Sequence, residues 1–324
     1  MRVVPETAFD DGEPAVGTYR GRLGDTSLQL AERNVPWLRQ ALSEKRWQWF
    51  SAFGEECAVG GALVDGGFFA TGFVWVFDRQ RGELIVDEDV VIPSPCLHVS
   101  SYPTVGVIAT LSVPGYHLQV ERERETLVVS GEFSGTSISL AFEPTDSTAV
   151  TAICPVSERE GGINITQKEP AVPVRGTVTT KSDNRQFTIG GTGFLDYSHG
   201  LLGRETRWDW AFLSGETATG KSVACNLVAR FNDGIENVIW EAREPRAVGT
   251  AEIIEPDTPG GDWQISTACG TVDVRLAPEG ARSQDVNIGL VRSRYHQPLG
   301  TWEGTIAGHE CSGVGVTETH LTRW

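Results

Sequence analysis

The sequence predicts an all-β fold with little helix, built from two antiparallel barrels or sandwiches in tandem. After residue 47 the chain is a succession of short runs rich in β-branched and aromatic residues, separated by turn residues. The 37 glycines and 16 prolines among the 324 residues supply these turns. No helical periodicity lies between the runs, which disfavours a parallel α/β architecture.

The first half begins with the one segment that has helical character, residues 34–47. Asn34 can cap this segment and Pro36 can occupy its first turn, so we expect one short helix there. An antiparallel meander follows, because the later runs are joined by hairpin-type turns such as the one at residues 65–67. Its predicted strands are CAVGGALV, FFATGFVWVF, LIVDEDVVIP, TVGVIATLSV, YHLQVERE, TLVVSGEF and SISLAFEP.

The second half repeats this pattern after residues 147–162, where the alternation is lost. We therefore place a boundary near residue 165 and predict two domains, 1–165 and 166–324. Closing each half into a barrel would remove the exposed edges of its strands. The predicted strands of the second half are INITQKEPAVPVRGTVTT, RQFTIGG, RETRWDWAFLSG, SVACNLVARFN, IENVIWEA, DWQISTA, TVDVRLAP, NIGLVRSRY and a last hairpin that ends in GVTETHLTRW.

The charge balance disfavours nucleic acids and anionic membrane surfaces as partners. The chain carries 27 basic and 43 acidic side chains, a net charge of −16, whereas phosphate recognition needs a concentrated positive field. No signal-like segment and no apolar stretch of roughly 20 residues is present, so we expect a cytoplasmic protein without membrane insertion. The six cysteines are scattered singly, which predicts reduced thiols.

The sequence predicts neither a cofactor nor a metal. The GGTGF segment lacks the rest of a dinucleotide fingerprint, and no phosphate-loop motif or GxSxG elbow occurs. The histidines never recur at the spacing of a local metal site. Glu205 and Asp209 would lie about 13 Å apart on an extended strand, too far for paired glycosidase carboxylates. Any activity would therefore come from the protein's own acids and bases.

The densest cluster of reactive residues is GTGFLDYSHGLLGRETRWDWAF. An aspartic acid in an apolar cavity can stay protonated and act as an acid, while a nearby imidazole accepts a proton. We therefore predict catalytic roles for Asp196, Tyr197 and His199. The alternative is structural, with Asp196 capping a turn, Tyr197 holding a loop and His199 exposed.

Trp208 and Trp210 are the first candidates for substrate binding. On the predicted strand 204–212, period-two alternation puts both on one face. They would line a ligand cavity or, alternatively, belong to an ordinary core. Further substrate-binding candidates, for which turn or surface roles are the alternative, are His98, Tyr102 and Asn226.

Six motifs spread over nearly the whole chain carry a family resemblance: KRWQWFSAF, ITQKEPAVPVRGTV, GFLDYSHGLLGRETRWDWA, the Asn226 strand, YHQPLGTWEGTI and GVTETHLTRW. In this order they resemble the bacterial family called domain of unknown function 2804. That family is similar to the lipocalin-like superfamily of carotenoid 1,2-hydratase, fungal pericyclase-type cyclases and AttH proteins. The resemblance implies two tandem lipocalin-like antiparallel β-barrels and an apolar cavity.

The resemblance also implies a chemistry. Carotenoid hydratases are thought to protonate an alkene with an acidic residue and to place water with neighbouring polar groups. Carried over by position, this implies Asp196 as the acid and His199 or Tyr197 as the water-positioning or base partner. Trp208 and Trp210 would present cation-stabilising faces.

Three functions remain open at this point. The first is a cofactor-independent lyase or isomerase, hydratase- or cyclase-like, acting on a hydrophobic polyene- or terpenoid-like molecule. The second is a non-catalytic carrier of an apolar ligand. The third is a carbohydrate-binding β-sandwich, which needs exposed tryptophans. A catalytic function requires a buried titratable pair in the cavity, whereas a carrier does not.

Overall fold

The computed structural model describes residues 1–28, 36, 42–144, 148–156, 162–181, 184–287 and 292–323. Regular structure in these residues is almost entirely β, as the alternating runs predict. Of the helix predicted over 34–47, residues 34, 35 and 37–41 lie outside the described residues, Leu42 and Ser43 are helical, and Glu44 already begins a strand. Among the described residues, no helix is long and apolar enough to cross a membrane.

The chain up to residue 201 forms the first sheet, to which fourteen strands of the described residues belong. Two further short strands, β2 and β3, make a separate hairpin. In chain order the strands are Arg2–Val3 (β1), Phe9–Asp10 (β2), Glu13–Pro14 (β3), Gly17–Arg20 (β4), Glu44–Phe53 (β5), Cys57–Asp65 (β6), Phe69–Asp78 (β7), Glu83–Pro93 (β8), Leu97–Val99 (β9), Gly106–Val113 (β10), Tyr116–Glu123 (β11), Thr126–Phe133 (β12), Thr136–Phe142 (β13), Val150–Val156 (β14), Gly162–Thr180 (β15) and Arg185–Leu201 (β16).

The second sheet contains nine strands of the described residues and begins after residue 204. Two short 3-10 helices, Ser94–Cys96 and Asn232–Gly234, also lie in the described residues. The strands of the second sheet are Glu205–Thr217 (β17), Ser222–Ala229 (β18), Val238–Glu241 (β19), Glu244–Ala247 (β20), Ala251–Ile254 (β21), Trp263–Thr267 (β22), Val272–Asn287 (β23), Arg292–Ile306 (β24) and His309–Arg323 (β25).

Along its main path each sheet is antiparallel and curls on itself. The main path of the first runs β8, β7, β6, β5, β16, β15, β13, β12, β11, β10, β9, and β9 returns to contact β6. It is a nearly closed barrel, and the second sheet, from β20 to β21, is a half-barrel. The predicted all-β fold with two barrels in tandem is therefore confirmed.

The division between the two halves can be located from the strand pairing. The boundary predicted near residue 165 lies inside β15, which pairs along its length with β16 of the same sheet. The chain passes from the first sheet to the second between Leu201 and Glu205. We propose that this segment, rather than residue 165, divides the protein.

Alternation of side chains gives each barrel its own core and leaves a third apolar cluster between them. Phe50 and Leu195 pack inside the first barrel, and Leu213 packs inside the second. The neighbouring positions Trp49 and Phe194 point the other way, into the cluster that both sheets share. The two sheets are thus held together by a buried apolar interface.

The sheets approach each other closely at β7 and β23. A Cβ atom on Gly280 would lie 2.3 Å from Phe77 Cε2, so only glycine fits there without movement of the aromatic ring. Beside this contact, the Arg79 guanidinium donates hydrogen bonds of 2.8 and 2.6 Å to the Glu279 carboxylate. These contacts hold the second sheet against the first.

Candidate functional site

A cavity of about 150 Å³ lies between the faces that the two sheets turn toward each other. One wall comes from β5 to β8 and from β15 and β16 of the first sheet, and the other from β17, β18 and β23 to β25 of the second. The cavity therefore belongs to neither barrel alone. Its volume is room for about one substituted aromatic ring.

Two pairs of tryptophans, each joining one sheet to the other, form much of the apolar wall. Trp47 and Trp208 are stacked with ring centroids 6.3 Å apart and planes inclined by 10°. Trp49 and Trp210 meet edge to face at 5.0 Å. Aromatic rings also line the cavity at Phe69, Phe73, Phe231 and Tyr295. A flat, conjugated ligand would find large apolar contact surfaces here.

A buried ion pair between Lys168 and Asp196 stands in the first-sheet wall. The two residues are direct cross-strand partners on β15 and β16, and Lys168 Nζ lies 2.8 Å from Asp196 Oδ2. Trp47 Nε1 donates a longer hydrogen bond of 3.4 Å to the same oxygen. Burial acts to lower the pKa of Lys168, but the charges of Asp196 and Glu236 outweigh it and raise that pKa above its ordinary value. Lys168 is therefore an ammonium.

The opposite wall carries Glu318, whose carboxyl is held between two N–H donors. Trp208 Nε1 donates to Oε1 and Gln297 Nε2 donates to Oε2, each at 2.8 Å. Burial raises the pKa of Glu318 to about 7, although these hydrogen bonds act in the opposite direction. Near neutral pH the group is therefore divided between carboxylic acid and carboxylate, as a proton donor needs to be.

Burial favours the neutral forms of two further titratable groups in the cavity. Burial lowers the pKa of His320 to about 3, and its Nε2 lies 2.9 Å from Ser293 Oγ. Burial also raises the pKa of Glu236, against the effect of the Lys168 charge. Glu236 accepts a hydrogen bond of 2.5 Å from Asn232.

Arg282 brings a second cation to the cavity, and it too is paired. Its Nε donates to Asp87 Oδ1 at 2.7 Å, which joins β23 to β8 across the sheets. The guanidinium lies 4.3 Å from the centre of the Phe73 ring and 5.5 Å from that of Tyr295. The side chain is therefore fixed between an acid and two aromatic faces.

The three residues predicted to be catalytic do not form one cluster, and this corrects the sequence-based arrangement. Asp196 lines the cavity, whereas Tyr197 and His199 lie on the opposite face of β16 because side chains alternate along a strand. Tyr197 donates to the Ser100 carbonyl at 2.7 Å, and His199 Nδ1 lies 3.2 Å from Thr26 Oγ1.

The environment of His199 is that of a structural network rather than a proton shuttle to the cavity. Its Nε2 lies 2.9 Å from Glu44 Oε1, and Arg46 is ion-paired with the same carboxylate. Burial lowers the pKa of His199. Together these contacts tie β16 to β5 and to the residues Thr26 and Ser100.

The predicted substrate-binding residues divide into three groups. Trp208 and Trp210 line the cavity. Asn226 lies behind the wall, where its Oδ1 accepts a hydrogen bond of 2.8 Å from Trp210 Nε1 and so orients that indole. His98 and Tyr102 are exposed and are not among the cavity-lining residues. For these two, the sequence-based alternative of turn or surface roles fits the structure.

Sequence reasoning missed Glu318, Glu236, His320 and Arg282. A lysine inside a strand-like run, such as Lys168, has no sequence signature that separates a cavity position from a surface position. A signal existed for two of the missed residues, since the terminal strand GVTETHLTRW carries Glu318 and His320 at alternating positions. Two polar side chains on one face of a strand are ordinary on a surface. Only the packing of the second sheet against the first makes them buried.

The raised pKa of Glu318 predicts a pH-dependent stability. Because the folded-state pKa of about 7 exceeds the ordinary value of 4.5, the contribution of Glu318 is fully present below 4.5 and is lost as pH rises through about 7. Between pH 5 and 8, the unfolding free energy of the wild type should fall by about 3 kcal/mol relative to that of Glu318→Gln. Denaturant unfolding at a series of pH values measures this difference. Parallel pH profiles for the two proteins would contradict the buried, raised-pKa environment.

Comparison with known proteins identifies relatives in sequence pattern and in fold. The sequence pattern of the family described as "Domain of unknown function (DUF2804)" matches residues 5–324. The chain has no match among the curated proteins.

Three solved structures share the fold. A protein from Nitrosomonas europaea described as AttH-like is 12% identical, with a TM-score of 0.56, over 86% of this chain and 92% of that one. Kievitone hydratase from Nectria haematococca is also 12% identical, with a TM-score of 0.56, over 94% and 97% of the two chains. CghA, solved with Sch210972, is 10% identical, with a TM-score of 0.52, over 87% and 89%. At these identities the likeness shows a shared fold.

Proposed function

The chain belongs to the family described as domain of unknown function 2804, and we propose that this member is an acid–base enzyme of the hydratase or cyclase type. Its substrate would be a small, mostly apolar molecule with a carbon–carbon double bond, bound in the cavity between the sheets. The reaction would use the protein's own carboxyl groups, without a cofactor.

The observation that supports this most is the different state of two carboxyl groups in one aromatic cavity. Glu318 has a pKa raised to about 7 by burial and can give up a proton near neutral pH. Asp196 is ion-paired with Lys168 and offers a carboxylate. In other enzymes, acid and base roles are assigned to two carboxyl groups whose environments differ in this way.

This assignment differs from the one that the family resemblance implies. Asp196 lies in the cavity, but it is the carboxylate partner of the Lys168 ammonium, and a carboxylate has no proton to donate. In hydration, Glu318 would supply the proton that one alkene carbon gains. The carboxylate of Asp196 would take the proton that water loses as its oxygen bonds to the other carbon. In an isomerisation or cyclisation, the same two groups would move a proton on and off carbon.

The fold relatives agree with this proposal, since one of them is named a hydratase and another was solved with a small molecule. A carrier function would use the same cavity, but it would need no buried acid. A carbohydrate-binding function has less support, because the cavity tryptophans are buried or half-buried between two sheets. The cavity volume of about 150 Å³ favours a small ligand over a long polyene.

Isotope incorporation tests the proposal and identifies the substrate in the same experiment. Small-molecule extracts of the source organism are incubated with the protein in water enriched in oxygen-18 or deuterium, and the products are identified by mass spectrometry. A hydratase should yield a product heavier by one labelled water, and an isomerase or cyclase a product with carbon-bound deuterium. Turnover should survive exhaustive chelation. A compound that binds in defined proportion yet is recovered unlabelled would instead show a carrier.

A further inference from the structure

The cavity contains more polar groups than a hydrocarbon ligand could use. Lys168 has three N–H donors, and within the described residues the structure gives its Nζ one ion-pair partner, Asp196. Its ammonium also lies 5.2 Å from the centre of the Trp210 ring. Two N–H groups of a buried cation are thus left for a ligand or for water.

Other lining residues have buried polar atoms without a hydrogen-bond partner among the described residues. These atoms are Trp49 Nε1, Asn164 Oδ1 and Asn232 Oδ1, on side chains that are at least 95% buried. Leaving a buried polar group unsatisfied is unfavourable, because the group has lost its hydrogen bonds to water and has gained none in return. A ligand made only of carbon and hydrogen would displace water from the cavity and leave all of these polar atoms without a hydrogen-bond partner. A carbonyl oxygen can accept a hydrogen bond from Lys168 or from Trp49 Nε1, whereas the two asparagine oxygens need a donor, such as the water that hydration consumes or the hydroxyl group that it forms.

The charges of the cavity oppose an ionic ligand. Each of its two cations has a carboxylate partner, Asp196 for Lys168 and Asp87 for Arg282. Burial favours the neutral forms of the remaining groups, Glu236 and His320. An anion would find no unpaired cation, and an organic cation would lie beside the Lys168 ammonium.

From this arrangement we propose that the ligand is a neutral, planar molecule whose double bond is conjugated to a carbonyl group, with the carbonyl oxygen accepting a hydrogen bond from Lys168. This inference rests on the proposed function and names the substrate class for it. A buried ammonium repels the carbocation that forms when a simple alkene is protonated. It stabilises the negative charge that develops on a carbonyl oxygen during conjugate addition.

Hydration of such a ligand conserves atoms and charge within the cavity. Water loses a proton to Asp196 while its oxygen bonds to the β-carbon, and the π electrons move onto the carbonyl oxygen beside Lys168. The α-carbon of this enolate takes the proton of Glu318, and the proton on Asp196 passes through water back to Glu318. The net change is the addition of one water across the double bond.

A matched pair of probes tests the carbonyl preference. Benzylideneacetone is compared with its hydrocarbon isostere, in which C=CH₂ replaces C=O, and binding to the wild type is measured by tryptophan fluorescence and calorimetry. We expect the ketone to bind at least about tenfold more tightly. The carbonyl stretching frequency of the bound ketone should shift to lower wavenumber, as hydrogen bonding to an ammonium requires. Equal or tighter binding of the hydrocarbon would overturn the inference, and this comparison requires no variant.

Two variants test whether Lys168 is the source of the preference for the ketone. In the double variant Lys168→Met/Asp196→Asn, which removes both charges together, the ketone should lose most of its advantage while the hydrocarbon binds nearly as before. Lys221→Met, on a partly exposed lysine of the second half, is the matched control and should change neither affinity. An unchanged ketone advantage in the double variant would overturn the role of Lys168.

The outcome of these binding experiments is independent of the outcome of the turnover experiment that tests the proposed function. A ketone that binds preferentially but is never hydrated or isomerised would contradict the enzymatic function and leave the ligand class in place. A hydrocarbon alkene that binds preferentially and is turned over would contradict the ligand class and leave the enzymatic function in place.

Discussion

Replacing Glu318 by glutamine is expected to lower turnover by about a hundredfold or more while leaving the protein folded. The amide has nearly the shape of the carboxyl but holds no proton acidic enough to transfer. The neighbouring Gln297 can adapt to it, because its Oε1 has no hydrogen-bond partner among the described residues and can accept from the new amide. The loss should therefore appear in kcat, with the unfolding midpoint at acidic pH little changed.

The measurement is a steady-state rate on an alkene found by isotope incorporation. The wild-type rate should fall as pH rises through about 7, since Glu318 loses its proton there. Glu303→Gln, at an exposed position of β24, is the matched control and should keep the wild-type rate and pH profile. Full turnover in Glu318→Gln together with its loss in Asp196→Asn would place the acid at Asp196, where the family resemblance implies it.

The all-β fold could be predicted from the sequence because it depends on local signals. Runs of β-branched and aromatic residues, with turn residues between them, specify strands wherever they occur. The division of the chain was harder to predict. The loss of alternation at residues 147–162 looks like a linker, yet β14 and β15 carry the first sheet across it. Which strands pair is decided by long-range packing, which a local pattern does not report.

The site was partly predictable, because the alternation of side chains along a strand is also a local signal. Alternation placed Trp208 and Trp210 on one face, and both line the cavity. The same rule, applied to the preceding segment, separates Asp196 from Tyr197 and His199, so their proximity in sequence was a poor guide to a shared site.

Residues that act together here come from distant strands. Lys168 meets Asp196 only because β15 and β16 pair in that register. Glu318 faces both only because the second sheet packs against the first. A polar residue on an apolar strand has the same sequence signature whether it faces water or a cavity, and its environment determines its chemistry.

The second large effect is expected on stability, from the Lys168–Asp196 pair. Lys168→Met leaves a buried carboxylate without its counter-ion, and Asp196→Asn leaves a buried ammonium. Removing one partner of a buried pair destabilises proteins by about 3–5 kcal/mol, because the remaining charge has lost its solvation and its attraction together. Each single variant should therefore shift denaturant unfolding by that order. The partly exposed Lys221–Glu241 pair, treated as Lys221→Met, should lose no more than about 1 kcal/mol.

The double variant separates a structural charge pair from two independent polar residues. With both charges gone, no unpaired ion is buried, so Lys168→Met/Asp196→Asn should be clearly more stable than the sum of the two single losses predicts. It should also lose ketone selectivity and turnover while it remains folded, because the ammonium and the carboxylate have both been removed from the cavity. If the two stability losses simply add, each residue acts on its own. In that case, the carboxylate that we assign as the proton acceptor is not held in its charged form by Lys168.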